Sequence, residues 1–355
     1  SPAEKLEVEF ARAMGTRYAL AVSSCSAALF LALKSLDLPN GARVLMPAFT
    51  FAAVPSSVVH ANFIPVLCEC GDDYRIDLND FRKKIKKADA VLISHMRGHT
   101  SDMDVIISEC KQVKIPLIED AAHSLGTTWH GNKIGTLGDA GCFSFQSYKM
   151  LNAGEGGIFV TDNAELFAKA VIMSGAYEHN WMKHQGEHAS FKKWQNKLPL
   201  YNMRINNLSA AIIRAQLPEL NKRIEKGRHN HDFTAERLNR SPWICVPEKL
   251  RPETRAPDSI QFNLIDMNSG EIDLFEKITS LSGLNIQIFG RTKNNARAFW
   301  NWKFLPETFE LPKTRKMLMT ACDVRLPPKL SQDECRKISD VILSAIMTIK
   351  NGVAA

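Results

Sequence analysis

Residues 143–157, Phe-Ser-Phe-Gln-Ser-Tyr-Lys-Met-Leu-Asn-Ala-Gly-Glu-Gly-Gly, constrain this chain more than any other stretch. They begin as an apolar strand, break at a polar turn, offer one lysine, Lys149, and end in Gly154, Gly156 and Gly157. An apolar run closed by glycines reads as a strand feeding a tight, exposed turn. A lysine there points into a cleft instead of a core. If it can shed its proton, it can form a Schiff base with an aldehyde cofactor. Taken alone, such a lysine is ordinarily a solvated surface group, so its surroundings decide. Upstream, residues 115–120 read as a short buried strand ending in Glu119 and Asp120. Open α/β sheets bind ligands at the carboxyl ends of their strands. A carboxylate that faces a pyridine nitrogen keeps it protonated and makes the ring an electron sink. Asp120 alone would be a turn or cap residue. An acid at one strand end and a lysine at a later one are the minimal equipment of a pyridoxal phosphate (PLP) site.

The rest of the chain alternates strands and helices. Apolar strands are expected at residues 18–22, 43–47, 64–67, 90–94 and 157–161, with helices at 4–14, 77–86 and 163–173 between or beside them. Ser101 and Asp104 have the spacing of a capping box for a helix through Val113. This rhythm predicts a largely parallel sheet covered on both faces. Ser23, Ser24, Cys25 and Ser26 stand where the first strand turns into a helix. Free amides and a positive dipole end there suit a phosphate, with Ser26 able to cap the helix as well. Residues 174–200 are polar and read as an irregular loop. Its His179, His184 and His188 lack the cysteine or carboxylate partners of a metal site, so no metal is expected. A helical pattern over 206–226 carries the chain out of a large domain (1–226) into a small α+β domain (227–355) with strands at 260–266 and 284–289 and helices at 272–282 and 331–349.

Composition narrows the class. A hydrophobic content of 45% and a charged content of 23% are those of an ordinary globular protein, and no run of eighteen apolar residues suggests a membrane span. The opening residues carry no signal-peptide-like apolar region. The eight cysteines include no C-x-x-C pair, which suits reduced thiols in the cytoplasm. The net charge is +7, and the densest basic run, residues 82–87, has no interleaved aromatics. It reads as a solvated helix face, not a nucleic-acid surface.

The ordered set Ser23-Ser24-Cys25-Ser26-Ala27-Ala28-Leu29, Pro47-Ala48-Phe49-Thr50-Phe51, His95-Met96-Arg97-Gly98, Asp102-Met103-Asp104, Glu119-Asp120-Ala121, the lysine turn and Tyr201-Asn202-Met203-Arg204 spans nearly the whole chain. It resembles the DegT/DnrJ/EryC1/StrS family of sugar aminotransferases, which are fold-type I PLP enzymes. The resemblance implies a homodimer with shared sites, glutamate or glutamine as amino donor, and a keto or aldehyde sugar as acceptor. It implies Lys149 and Asp120 as catalytic residues. It places Cys25, Ser26, Ala27 and Ser144 near the cofactor phosphate, Phe51 stacked on the ring, and His123 near the ring hydroxyl. Asn202 and Arg204 would reach the neighbouring subunit's cofactor and donor carboxylate. His95, Arg97 and His99 would face the substrate.

The departures bear on substrate. Cys25-Ser26 replaces the family's Gly-Thr. Arg97 and His99 replace a Tyr and a Gln. The usual Pro-Leu-His segment gives way to residues 290–303, rich in Asn and Trp, which is loosely like the octulosonate transaminases of the family. The family's stretch before the first helix has no counterpart here. Two other readings remain: a PLP-dependent sugar dehydratase or deoxygenase, against which the retained lysine speaks, and a non-catalytic regulatory protein of the same fold.

Overall fold

The computed structural model describes residues 1–305 and 307–352. Helix α1 (Pro2–Met14) opens on a capping box between Ser1 and Glu4 and ends at Gly15, whose φ of 78° is the left-handed turn glycine tolerates. Strand β1 (Tyr18–Val22) follows, then α2 (Cys25–Ser35), β2 (Arg43–Pro47), α3 (Ala53–His60), β3 (Ile64–Cys68), α4 (Leu78–Lys84), β4 (Ala90–Ser94), α5 (Met103–Val113) and β5 (Leu117–Asp120). Three of these strands are buried along their whole length, which explains their near-continuous apolar sequences. A small ribbon of β6 (Thr128–Trp129) and β7 (Asn132–Lys133) precedes β8 (Ala140–Ser144) and β9 (Gly157–Thr161).

The central sheet has seven strands in the order β1-β9-β8-β5-β4-β2-β3. Strand β9 alone opposes its neighbours β1 and β8, while β8, β5, β4, β2 and β3 are parallel. The register puts Ser94 beside Asp120 and Asp120 beside Cys142, so the carboxyl ends of β4, β5 and β8 form one edge. At the same edge Val22 pairs with Gly157.

Two local expectations are corrected. Asp102 caps α5, accepting from Val105 N at 3.1 Å. Ser101 instead accepts from Ile76 N (3.2 Å), and Asp104 takes the Trp129 indole N–H at 3.0 Å. Segment 174–200 is also less irregular than its polarity suggests. After α6 (Ala164–Met173) it forms a turn of 3-10 helix at Asn180–Lys183 and then α7 (His188–Trp194). Trp181 and Phe191 are buried with ring centroids 5.4 Å apart, and Phe191 meets Phe167 at 6.0 Å. Two large aromatics supply enough apolar area to anchor an otherwise polar stretch.

Helices α8 (Asn207–Gln216) and α9 (Leu220–Leu238) then leave the sheet, joined by a 3-10 turn holding Pro218. Position 226 lies inside α9, which runs on until Leu238 joins the second core. Next come β10 (Ile244–Cys245), β11 (Glu253–Thr254), β12 (Ser259–Leu264), α10 (Ser269–Leu281), β13 (Gln287–Ile288), α11 (Pro312–Leu318), β14 (Ala321–Arg325) and α12 (Gln332–Lys350). The second sheet is antiparallel in the order β10-β12-β14-β13, backed by Phe262, Phe275 and Ile342. Its strand β14 had no clear signal in the sequence, because the five residues Ala-Cys-Asp-Val-Arg do not alternate cleanly. Strand β11 pairs with β6, so the chain returns to the large domain before forming β12. All eight cysteines are free. Among the described residues no helix is long and apolar enough to cross a membrane.

Candidate active site

Asp120 closes β5 and is buried. Its Oδ2 accepts from the Ser94 hydroxyl at 2.6 Å, and Ser94 in turn accepts from the Thr50 hydroxyl at 2.8 Å. Its Oδ1 accepts from Ala122 N at 3.1 Å and lies 3.9 Å from the Cys25 thiol. Burial, reinforced by the Asp120 charge, pushes the Cys25 thiol well up, so it stays a neutral packing group. Among the described residues no cation pairs with Asp120, which leaves its charge for a cationic partner such as a protonated ring nitrogen.

Lys149 emerges from the turn after β8. Phe145 N donates to Gly156 O (2.8 Å) and Ala153 N to Phe145 O (2.9 Å), while Gly154 (φ 81°) turns the chain back. Gly157 has a different reason to be glycine. A Cβ there would lie 2.3 Å from the Ser24 carbonyl carbon and 2.4 Å from Cys25 N. The start of β9 is thus pressed against the start of α2. The Lys149 amine lies 2.9 Å from His123 Nε2. Burial lowers its pKa to about 8, with Arg97 adding to the drop and Asp258 and Asp120 opposing it. Burial, followed by the charges of Lys149, Arg97, Arg297 and Arg325, also holds His123 well below the usual imidazole range. His123 is therefore neutral.

Around this pair the structure sorts the other expected residues. Ser24, not Ser26, caps α2, accepting from Ala27 N at 3.1 Å. Ser26 is left exposed in the first turn beside the buried Cys25 and Ala27. Ser144 is buried, its hydroxyl accepting from Gln146 N at 3.3 Å. Phe51 is 42% exposed, an unusual state for a large aromatic at a strand-to-helix junction. Asn202 and Arg204 are exposed, the guanidinium lying 4.9 Å over the Tyr177 ring. Their segment is pinned to the β1–α2 turn, since Ser23 N donates to Met203 O at 2.8 Å.

His95 and His99 do not reach the open face. His95 is buried with Nε2 3.2 Å from Glu119 Oε2, and His99 is buried with Nε2 2.9 Å from Gln261 Oε1. Glu119 also accepts from Gly135 N, Leu137 N and Gly138 N, so this histidine and acid brace the loop before β8. Arg97 is buried, has φ 55°, and pairs with Asp323 of β14. Sequence reasoning missed Thr50, Ser94, Asp258, Arg297 and Arg325. Thr50 lay within a quoted motif and Ser94 at a strand end, but nothing local linked either to Asp120.

The mostly parallel sheet, the unpaired acid at its carboxyl edge and a low-titrating lysine that feels its charge are what a PLP-dependent enzyme of the α/β class requires. More narrowly, the chain belongs to the DegT/DnrJ/EryC1/StrS aminotransferase family, whose model matches residues 1–343. The spore coat polysaccharide biosynthesis protein SpsC of Bacillus subtilis (strain 168) is 32% identical, over 98% of this chain and 90% of the relative. GDP-perosamine synthase of Vibrio cholerae is 34% identical over 63% of this chain, a match that spans 59% of that relative's length. The solved aminotransferase from Psychrobacter cryohalolentis superposes with a TM-score of 0.86 at 23% identity, covering 99% of this chain and 92% of that one, a likeness in fold.

Proposed function

We propose that this chain transfers an amino group from glutamate or glutamine to a keto or aldehyde sugar, a nucleotide sugar or a related sugar acid, in amino-sugar biosynthesis. The observation that carries the reading is the Lys149 amine, lowered to about 8, set beside the neutral His123 and close enough to Asp120 to feel its charge. When bound, PLP supplies an aldehyde that takes the amine and a ring that accepts the electron pair released at carbon. Asp120 holds the proton on the ring nitrogen, and the Thr50–Ser94 relay holds Asp120. The neutral Lys149 amine, about a tenth of the molecules at pH 7 for a group titrating near 8, moves the proton at carbon. Ser26, Ala27 and Ser144 bind the phosphate, Phe51 covers one face of the ring, and Arg204 with Asn202 serves the neighbouring subunit of a cytoplasmic homodimer. The relatives named for perosamine synthesis and for spore coat polysaccharide biosynthesis support a sugar acceptor. The retained lysine disfavours a dehydratase.

The test is a half-reaction. Glutamate, then glutamine, is added to the PLP-loaded protein and the absorbance of the aldehyde form is followed to that of the amine form. A shift with at least one donor is expected. Unchanged spectra with both would refute the reading.

A further inference from the structure

The segment after β13, residues 289–305, docks beside Phe51. Ala52 N donates to Ala296 O at 2.9 Å, tying the loop to the residue after Phe51. Within it, Arg297 N donates to Asn295 Oδ1 (2.9 Å), Asn301 Nδ2 to Asn295 O (3.0 Å) and the Trp302 indole to Ala296 O (2.9 Å). The Asn- and Trp-rich composition thus builds a rigid platform for one side chain. Arg297 lies 5.4 Å over the Phe51 ring and 5.6 Å over Phe289, and its Nη1 donates to the neutral Gln287 Oε1 at 3.0 Å.

Among the described residues no carboxylate forms an ion pair with Arg297. Its Nε is buried without a partner, as are Arg97 Nε and Asn295 Nδ2. Arg97 is only 7% exposed. Arg297 as a whole is half-buried, and a guanidinium whose buried Nε has neither a partner nor a paired anion is costly unless a ligand completes it. The neighbouring arginines differ. Arg97 is paired with Asp323, and Arg325 with Asp258 at 3.3 Å. Two of the three positive charges are therefore offset inside the fold, and one is left over.

We propose that Arg297 binds a carboxylate of the amino acceptor, so that the acceptor is a keto sugar acid. This rests on the aminotransferase reading. One uncompensated charge and a planar fork match one carboxylate. A nucleotide diphosphate carries more charge than the one guanidinium of these three left without a carboxylate offsets. Under the proposed function the donor carboxylate is taken by Arg204 and the cofactor phosphate by the start of α2.

The test uses PLP-loaded protein and measures binding of gluconate, UDP and glucitol by calorimetry, for the wild type, Arg297→Gln and Arg297→Lys. Gluconate is expected to bind wild type and glucitol not. Gluconate affinity should fall about ten- to a hundredfold in Arg297→Gln and less in Arg297→Lys, which keeps the charge but not the fork. Absent gluconate binding to wild type, or equal gluconate affinity in wild type and Arg297→Gln, overturns the proposal. So does a loss confined to UDP, which would assign Arg297 to a diphosphate. The PLP dissociation constant and the glutamate half-reaction are measured on the same variants. A loss confined to either moves Arg297 to the cofactor or the donor. Failure of the half-reaction in wild type strikes the underlying reading instead, and is read separately from gluconate binding.

Discussion

Lys149 stores a stability cost that a neutral substitute should release. The unfolded chain holds this lysine at its ordinary 10.5, whereas the fold lowers it to about 8. The sign follows from proton counts. Between pH 8 and 10.5 the unfolded chain keeps the proton and the folded chain has lost it, so stability rises with pH across that window. Below pH 8 both states are protonated and the whole cost is present. Two and a half pKa units at 1.36 kcal/mol each set it at about 3 kcal/mol. Lys149→Met, similar in volume and uncharged, should therefore stabilise the cofactor-free protein at pH 7 by up to about 3 kcal/mol. The realised gain is smaller, because Asp258 and Asp120 lose a nearby cation. Urea unfolding at pH 7, 8.5 and 10 reads both the gap and its narrowing. A variant no more stable than wild type at pH 7, or a gap that does not shrink toward pH 10, would refute the buried-lysine argument. The same variant should be inactive, since the group whose burial costs stability is the one proposed to do the chemistry.

Asp120→Ala should keep the fold but lower kcat by about a hundredfold or more, as loss of a buried charge aimed at the reacting group does; wild-type turnover would remove its role. Gly157→Ala would drive a methyl into the backbone of Ser24 and Cys25. Melting should show a loss of about 1–3 kcal/mol, and equilibrium dialysis should show weaker PLP binding. An unchanged PLP affinity would mean that the start of α2 does not bind the phosphate. The shared-site proposal predicts rescue between two dead variants, Lys149→Ala and Arg204→Ala. Mixed dimers hold one doubly defective and one intact site, so subunit exchange should restore at most about half of wild-type activity per mixed dimer. No recovery after exchange confirmed by mass would place Arg204 in its own subunit's site.

Much of the architecture is written in local pattern. The apolar strands, the caps at Asp77 and Ser331, the glycines after Lys149 and the acid ending β5 depend on neighbours within a few positions, where period and turn chemistry act. Those signals singled out Lys149 and Asp120 as candidates. What only the folded chain decides are quantities that depend on distance through space. The Thr50–Ser94–Asp120 relay joins three separate segments. His95 and His99 look like substrate residues until burial against Glu119 and Gln261 turns them inward. Ser24 and Ser26 are equally good caps by composition, and backbone geometry chose the first. Arg97, Arg297 and Arg325 are indistinguishable as letters. Two of them find a carboxylate on the small sheet or beside it and the third does not, because burial and pairing are set by where the second domain lands. That landing is the sum of many weak apolar contacts between distant segments, which no short window of sequence contains.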